Sequence, residues 1–198
     1  MLNHIGTLNE RSLHATLKQW YKEPSDQLEM AIDGFIIYIV RDNLLIEIQT
    51  RNFSAIRKKL EKLLKNYKVH LVYPIIQNKW IINLDSQWKN IHKRLSPKHN
   101  SYIDIFTELI RIPYMVSHPN FTIEAILVQT EEIRKNDGRG SWRRKGWSIY
   151  DQKLLRIMER KEFHNPDDFL MFKPKNLNNP FTSFELAFSL KKPIKLAR

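Results

Sequence analysis

Glu47 and Gln49 stand two residues apart in Leu44-Leu45-Ile46-Glu47-Ile48-Gln49, a run that is otherwise apolar. In an extended strand alternate side chains share a face. Glu47 and Gln49 therefore point one way and Ile46 and Ile48 the other. A carboxylate in such a run has to be paired, coordinated or neutralised. Coordination of Mg²⁺ is one solution, because Mg²⁺ takes oxygen ligands and keeps several waters. A metal held beside a phosphodiester activates a water and stabilises charge on the phosphate. Glu10 and Glu29 are the other carboxylates that local order can bring to the same ion. The competing reading is that Glu47 pairs with Arg51 or lies on a solvated face.

The elements that must position these residues can be traced outward from them. Thr7-Leu8-Asn9-Glu10 has the form of a capping box, and Leu13, Leu17 and Trp20 recur at helical spacing until Pro24. Three strands follow, Gln27–Ile32, Phe35–Val40 and Leu44–Gln49, separated by Asp33-Gly34 and Arg41-Asp42-Asn43. Tight turns at both places make partner numbers sum to 67 and 85. Glu29, Tyr38 and Glu47 then fall in one row, with the two glutamates ~10 Å apart at the backbone. From Phe53, apolar residues through Tyr67 form one helical stripe, opposite Arg57, Lys58, Lys59, Lys62 and Lys65. Val69–Ile76 is a fourth strand. The expected order is α-β-β-β-α-β, an α/β core over residues 1–95.

This order, with Glu47-Ile48-Gln49 on the third strand, resembles the restriction-endonuclease-like PD-(D/E)XK nuclease fold in an E-x-Q variant. The resemblance implies Mg²⁺-dependent hydrolysis of DNA, with Glu47 and either Glu10 or Glu29 on the metal and Gln49 orienting the water. It also implies an acid on the second strand opposite Glu47, where this chain has Tyr38. The stretches Ile5–Glu10, Leu44–Ile56 and Asp137–Arg144 are similar to a group of prokaryotic proteins whose members continue into a winged helix.

The second part, 101–198, is expected to be mainly helical. Ser101–Ile110 reads as a capped helix and Phe121–Thr130 as a strand. Ser148-Ile149-Tyr150-Asp151 reads as a capping box opening a helix through Arg160. Thr182-Ser183-Phe184-Glu185 opens another, and Lys191-Lys192-Pro193 followed by Ile194–Arg198 gives the beginning of a helix-turn-helix. Leu95–Ser101, around Ser96-Pro97, is the expected boundary between the parts.

Charge sets the class of partner. The 198 residues carry 33 Lys plus Arg against 21 Asp plus Glu, a net charge of +12. Such a bias points to polyanions, DNA first. Three of the five glycines lie in one basic loop, which holds Arg139, Trp142, Arg143, Arg144, Lys145 and Trp147. Arginines grip phosphates through paired hydrogen bonds, and indole faces take unstacked bases. Together with Arg51 and Lys58 these residues are the expected nucleic-acid contacts. The opposing reading buries both tryptophans in the core. Cysteine is absent, which excludes disulfides, thiol nucleophiles and thiolate zinc sites. The chain has no Walker loop, G-x-G-x-x-G or G-x-S-x-G. No segment reads as a signal peptide or membrane span, so a cytoplasmic DNA-binding protein without membrane contact is expected. A catalytically inactive DNA-binding module and an RNA- or protein-binding accessory factor are the alternatives. A homodimer is compatible with all of them.

Overall fold

The computed structural model describes residues 12–85 and 87–197. Helix α1 (Ser12–Tyr21) precedes a meander of β1 (Gln27–Ile32), β2 (Phe35–Arg41) and β3 (Leu44–Ile48). A 3-10 turn over Phe53–Ile56 runs into α2 (Arg57–Leu63), and β4 (Lys68–Leu84) returns parallel to β3. Next come β5 (Asn90–Leu95), a short α3 (Phe106–Leu109), and the long strands β6 (Phe121–Asn136) and β7 (Trp147–Phe163). Helices α4 (Ser183–Leu190) and α5 (Ile194–Ala197) follow. The seven strands form one mixed sheet in the order β1-β2-β3-β4-β6-β7, with β5 pairing the outer half of β4.

Two tight turns fix the meander. Ile39 faces Ile46 and Leu28 faces Ile39, so partner numbers sum to 85 and 67 as expected. Asp33 and Gly34 both have positive φ (51° and 82°), the backbone a primed hairpin turn requires. Alternation along the sheet then divides the core. Ile46, Val72, Ile126 and Val128 face α1 through Leu13, Leu17 and Tyr21. Leu45, Leu71, Ala125 and Leu127 face the opposite layer, built from Phe53, Leu60 and Leu63 with Ile105, Leu109 and Phe169. The chain is therefore mixed α/β, with helices on both faces of the sheet.

The second part departs from expectation. It is not mainly helical, because β6 and β7 extend the same sheet, and residues from both sides of Leu95–Ser101 share one core. The helix expected over 148–160 is strand β7. Its pairing with β6 slips at three places, leaving Met158, Leu155 and Tyr150 as extra residues on β7. Each bulge moves the apolar face by one residue and erases the period-two signal that marks a strand. The residues read as a capping box serve other ends. Ser148 donates to Asp137 Oδ2 at 2.8 Å. Asp151 caps α1 from 139 residues away, accepting from Ser12 N at 3.0 Å and Ser12 Oγ at 2.5 Å. At the far end α4 opens on the expected box, with Thr182 Oγ1 accepting from Glu185 N at 3.2 Å. Lys191 ends it in a left-handed conformation before α5.

Candidate functional site

Glu47 is 2% exposed, within four consecutive buried residues of β3. Lys59, from the first turn of α2, donates from Nζ to Glu47 Oε1 at 2.5 Å and to Ile36 O at 2.5 Å. Burial pushes the Glu47 carboxyl above its ordinary range. The Lys59 charge and hydrogen bond oppose the shift, as does the backbone amide of Tyr38, without cancelling it.

Tyr38 forms the next layer. The His14 ring meets the Tyr38 ring edge-on at 4.6 Å, and Lys18 and Lys59 lie 5.1 Å and 5.4 Å from its centroid. His14 Nε2 donates to Ile48 O at 3.0 Å. Because a carbonyl only accepts, this bond places the proton on Nε2. Two helices thus bring one histidine and two lysines to the strand row of Tyr38 and Glu47.

The expected carboxylates behave differently from Glu47. Glu29 has φ +54° inside β1, which interrupts the alternation on which the row depends. Its carboxylate accepts from Lys18 Nζ at 3.0 Å and is half exposed. Glu10 lies outside the described residues. The Gln49 side-chain amide donates to Arg51 O and to Asn52 O, holding the turn into Phe53. Arg51 and Lys58 are exposed, whereas Lys59, expected on the solvated face, is turned inward.

Lys59 is the partner of Glu47 missed from sequence. Ile56, Lys59 and Leu63 follow the i, i+3, i+7 spacing of the apolar stripe itself, so its position at the stripe's edge was the available signal.

A divalent cation is tested by this donor set. Among the described residues Glu47 is a single carboxylate already held by Lys59. The one group of three possible ligands lies elsewhere, at His70, Glu124 and Glu162. There Glu124 Oε2 meets His70 Nε2 at 2.9 Å and Glu124 Oε1 accepts from Arg160 Nε at 2.5 Å. Burial opposes ionisation of Glu124, yet the hydrogen bonds from His70 and Arg160 hold its carboxyl down to about 2. Neither place offers a metal two carboxylates free of cations.

The basic loop is a shaped turn. Gly140 N donates to Gly146 O at 2.8 Å, Trp142–Arg144 form one 3-10 turn, and Arg144 Nε donates to Trp147 O at 3.1 Å. A Cβ on Gly140 would lie 1.8 Å from Trp147 O, so only glycine closes the turn. Trp142 is 82% exposed, against the reading that buries it, while Trp147 is half-buried at the start of β7.

The loop is far from Glu47. Glu47 pairs with Leu71, and thirteen residue steps along β4 lead to Leu84, which pairs with Lys135 beside the loop. At ~3.3 Å per residue the separation is roughly 40 Å.

A family model described as a domain of unknown function (DUF8091) matches residues 11–164. The chain belongs to that family. The DUF8091 segment covers the whole sheet and ends just after β7. An "Uncharacterized protein" of Treponema pallidum (strain Nichols) is 31% identical over 162 residues, 81% of this chain. The match spans 64% of that protein's length. No solved structure matches the chain. Among the described residues no helix is long and apolar enough to cross a membrane.

Proposed function

We propose that this chain is a nucleic-acid-binding protein, with DNA the first candidate, built on a restriction-endonuclease-like core. The observation that carries the binding reading is the exposed, shaped turn at 137–147. It holds Trp142 and four cations outside the core, in a chain of net charge +12. Cations ordered on a fixed backbone lose little freedom on meeting phosphates, and the resulting affinity falls steeply with salt. The nuclease-like comparison is supported by the meander β1-β2-β3, the α2 crossover and the parallel β4, with Glu47 on the third strand.

Phosphodiester hydrolysis is the second reading, and it is favoured by one feature. A deeply buried glutamate whose carboxyl is pushed up, beside a lysine, is an arrangement that active centres use to hold and move protons. The described residues do not complete a Mg²⁺ site, and no step through a metal is assigned. Retention of labelled DNA at low salt, lost progressively as salt is raised, tests the binding reading; retention indifferent to salt opposes it. Mg²⁺-dependent nicking of plasmid that disappears in Glu47→Ala but persists in Glu29→Ala supports hydrolysis at Glu47. Absence of nicking beside intact binding leaves the inactive-module version.

A further inference from the structure

β4 and β6 are parallel, so the turns that follow them, which carry residues 87–89 and 137–146, leave the sheet at the same end. Each turn displays an indole. Trp88 is 48% exposed, with Lys135 Nζ 4.2 Å from its ring centroid and Tyr150 of β7 edge-on at 4.7 Å. Trp142 stands in the second turn with the Arg143 guanidinium 5.4 Å from its ring. Tyr150 is itself more than half exposed.

Tryptophan is seldom displayed so openly, and neither ring is needed to fill the core. The carboxylates at this end are already engaged by backbone. Asp85 Oδ1 accepts from Gln87 N at 2.8 Å and Lys89 N at 2.9 Å, and Asp137 Oδ1 accepts from Arg139 N at 3.0 Å. Among the described residues Lys89, Arg139, Arg143 and Lys145 meet no carboxylate within 4.0 Å. The end of the sheet therefore combines two exposed indoles with cations that meet no carboxylate within 4.0 Å.

In a duplex the bases are paired and stacked on one another, and an indole face adds nothing to them. The faces become useful when bases are free to stack on protein, while the cations follow the sugar–phosphate chain. We infer that this end of the sheet binds an unpaired strand of nucleic acid, with bases on Trp88, Tyr150 and Trp142 and phosphates on the surrounding cations. The inference rests on the nucleic-acid reading above and adds the form of the polymer. A lipid surface fits less well. Trp142 is the one large apolar side chain in 137–146, and four cations beside it would lose water on insertion.

The test compares binding of labelled oligo(dT), oligo(rU), a duplex of equal length and phosphatidylserine vesicles to the full chain, its Trp142→Ala and Trp88→Ala variants and the double variant. Both indoles are exposed, and an unchanged urea midpoint verifies that the variants remain folded. The expected result is preference for the unpaired oligomers over duplex. Each alanine should weaken oligomer binding by about tenfold and leave duplex binding nearly unchanged. The tighter of oligo(dT) and oligo(rU) then identifies the sugar. Duplex bound as well as or better than the oligomers, with both alanine variants silent, overturns the inference while leaving general nucleic-acid binding in place. Vesicles bound in preference to either polymer overturn both.

Discussion

Lys59 Nζ and Glu47 Oε1 are 2.5 Å apart in a site where Glu47 is almost wholly shielded from water. The two residues come from different elements, α2 and β3, and the lysine also donates to the Ile36 carbonyl on β2. One ammonium group thus ties the crossover helix to two neighbouring strands. Breaking such a pair leaves a buried charge without compensation, which costs more than the pair contributes.

Lys59→Met is expected to lower unfolding free energy by about 3–5 kcal/mol at neutral pH, read from urea denaturation. Without Lys59, nothing in the pair opposes the upward push of burial on the Glu47 carboxyl. Its proton is then held more strongly in the folded than in the unfolded chain. The deficit should therefore shrink as pH falls and the carboxyl becomes neutral. The double variant Lys59→Met with Glu47→Leu should be more stable than Lys59→Met alone.

Glu124 gives the opposite sign. Its folded carboxyl is held at about 2, below the ordinary value of 4.5, by His70 and Arg160. A depressed carboxyl contributes stability above its unfolded pKa, and that contribution disappears as pH falls through the folded value. The wild-type chain should lose stability progressively from about 4.5 to about 2. Glu124→Gln should flatten that part of the stability–pH curve, and an unchanged acid limb would contradict the assignment.

Gly140→Ala should disrupt the turn at 137–147, because the added carbon falls onto the Trp147 carbonyl. Amide exchange at positions 140 and 145, whose backbone donors close the turn, should become fast. The urea midpoint should move little, since the turn lies outside the core. Nucleic-acid affinity should fall with the loss of order.

Much of this architecture could be read in advance where local chemistry agreed with the fold. Asp33-Gly34 and Asp42-Asn43 set the register of three strands, and Thr182 with Glu185 marked the start of α4. The reading failed where distant residues decided the outcome. Ser148 and Asp151 looked like the capping box of their own helix, but Asp151 caps α1, and bulges at Tyr150, Leu155 and Met158 gave a strand the spacing of a helix. At the site, Glu47 could be identified as a carboxylate needing a partner. Lys59 offered only its place at the stripe's edge, since its direction depends on how α2 lies across β2 and β3.

The roughly 40 Å between Glu47 and the basic turn sets a length scale. A ligand touching both ends of β4 needs about a dozen stacked nucleotides at ~3.4 Å each. If nicking is detected, it should require substrates of at least that length, whereas binding to the turn alone should persist on shorter ones.

The account stands most directly on the salt dependence of nucleic-acid binding, compared between the wild-type chain and a variant with Arg139, Arg143, Arg144 and Lys145 changed to alanine. Wild-type affinity should fall linearly on a log–log plot against salt. The slope of the variant should be shallower by about 3, since each phosphate contact contributes roughly 0.7–0.9 to it. Equal slopes, or binding that ignores salt, would contradict a polyanion site at this turn.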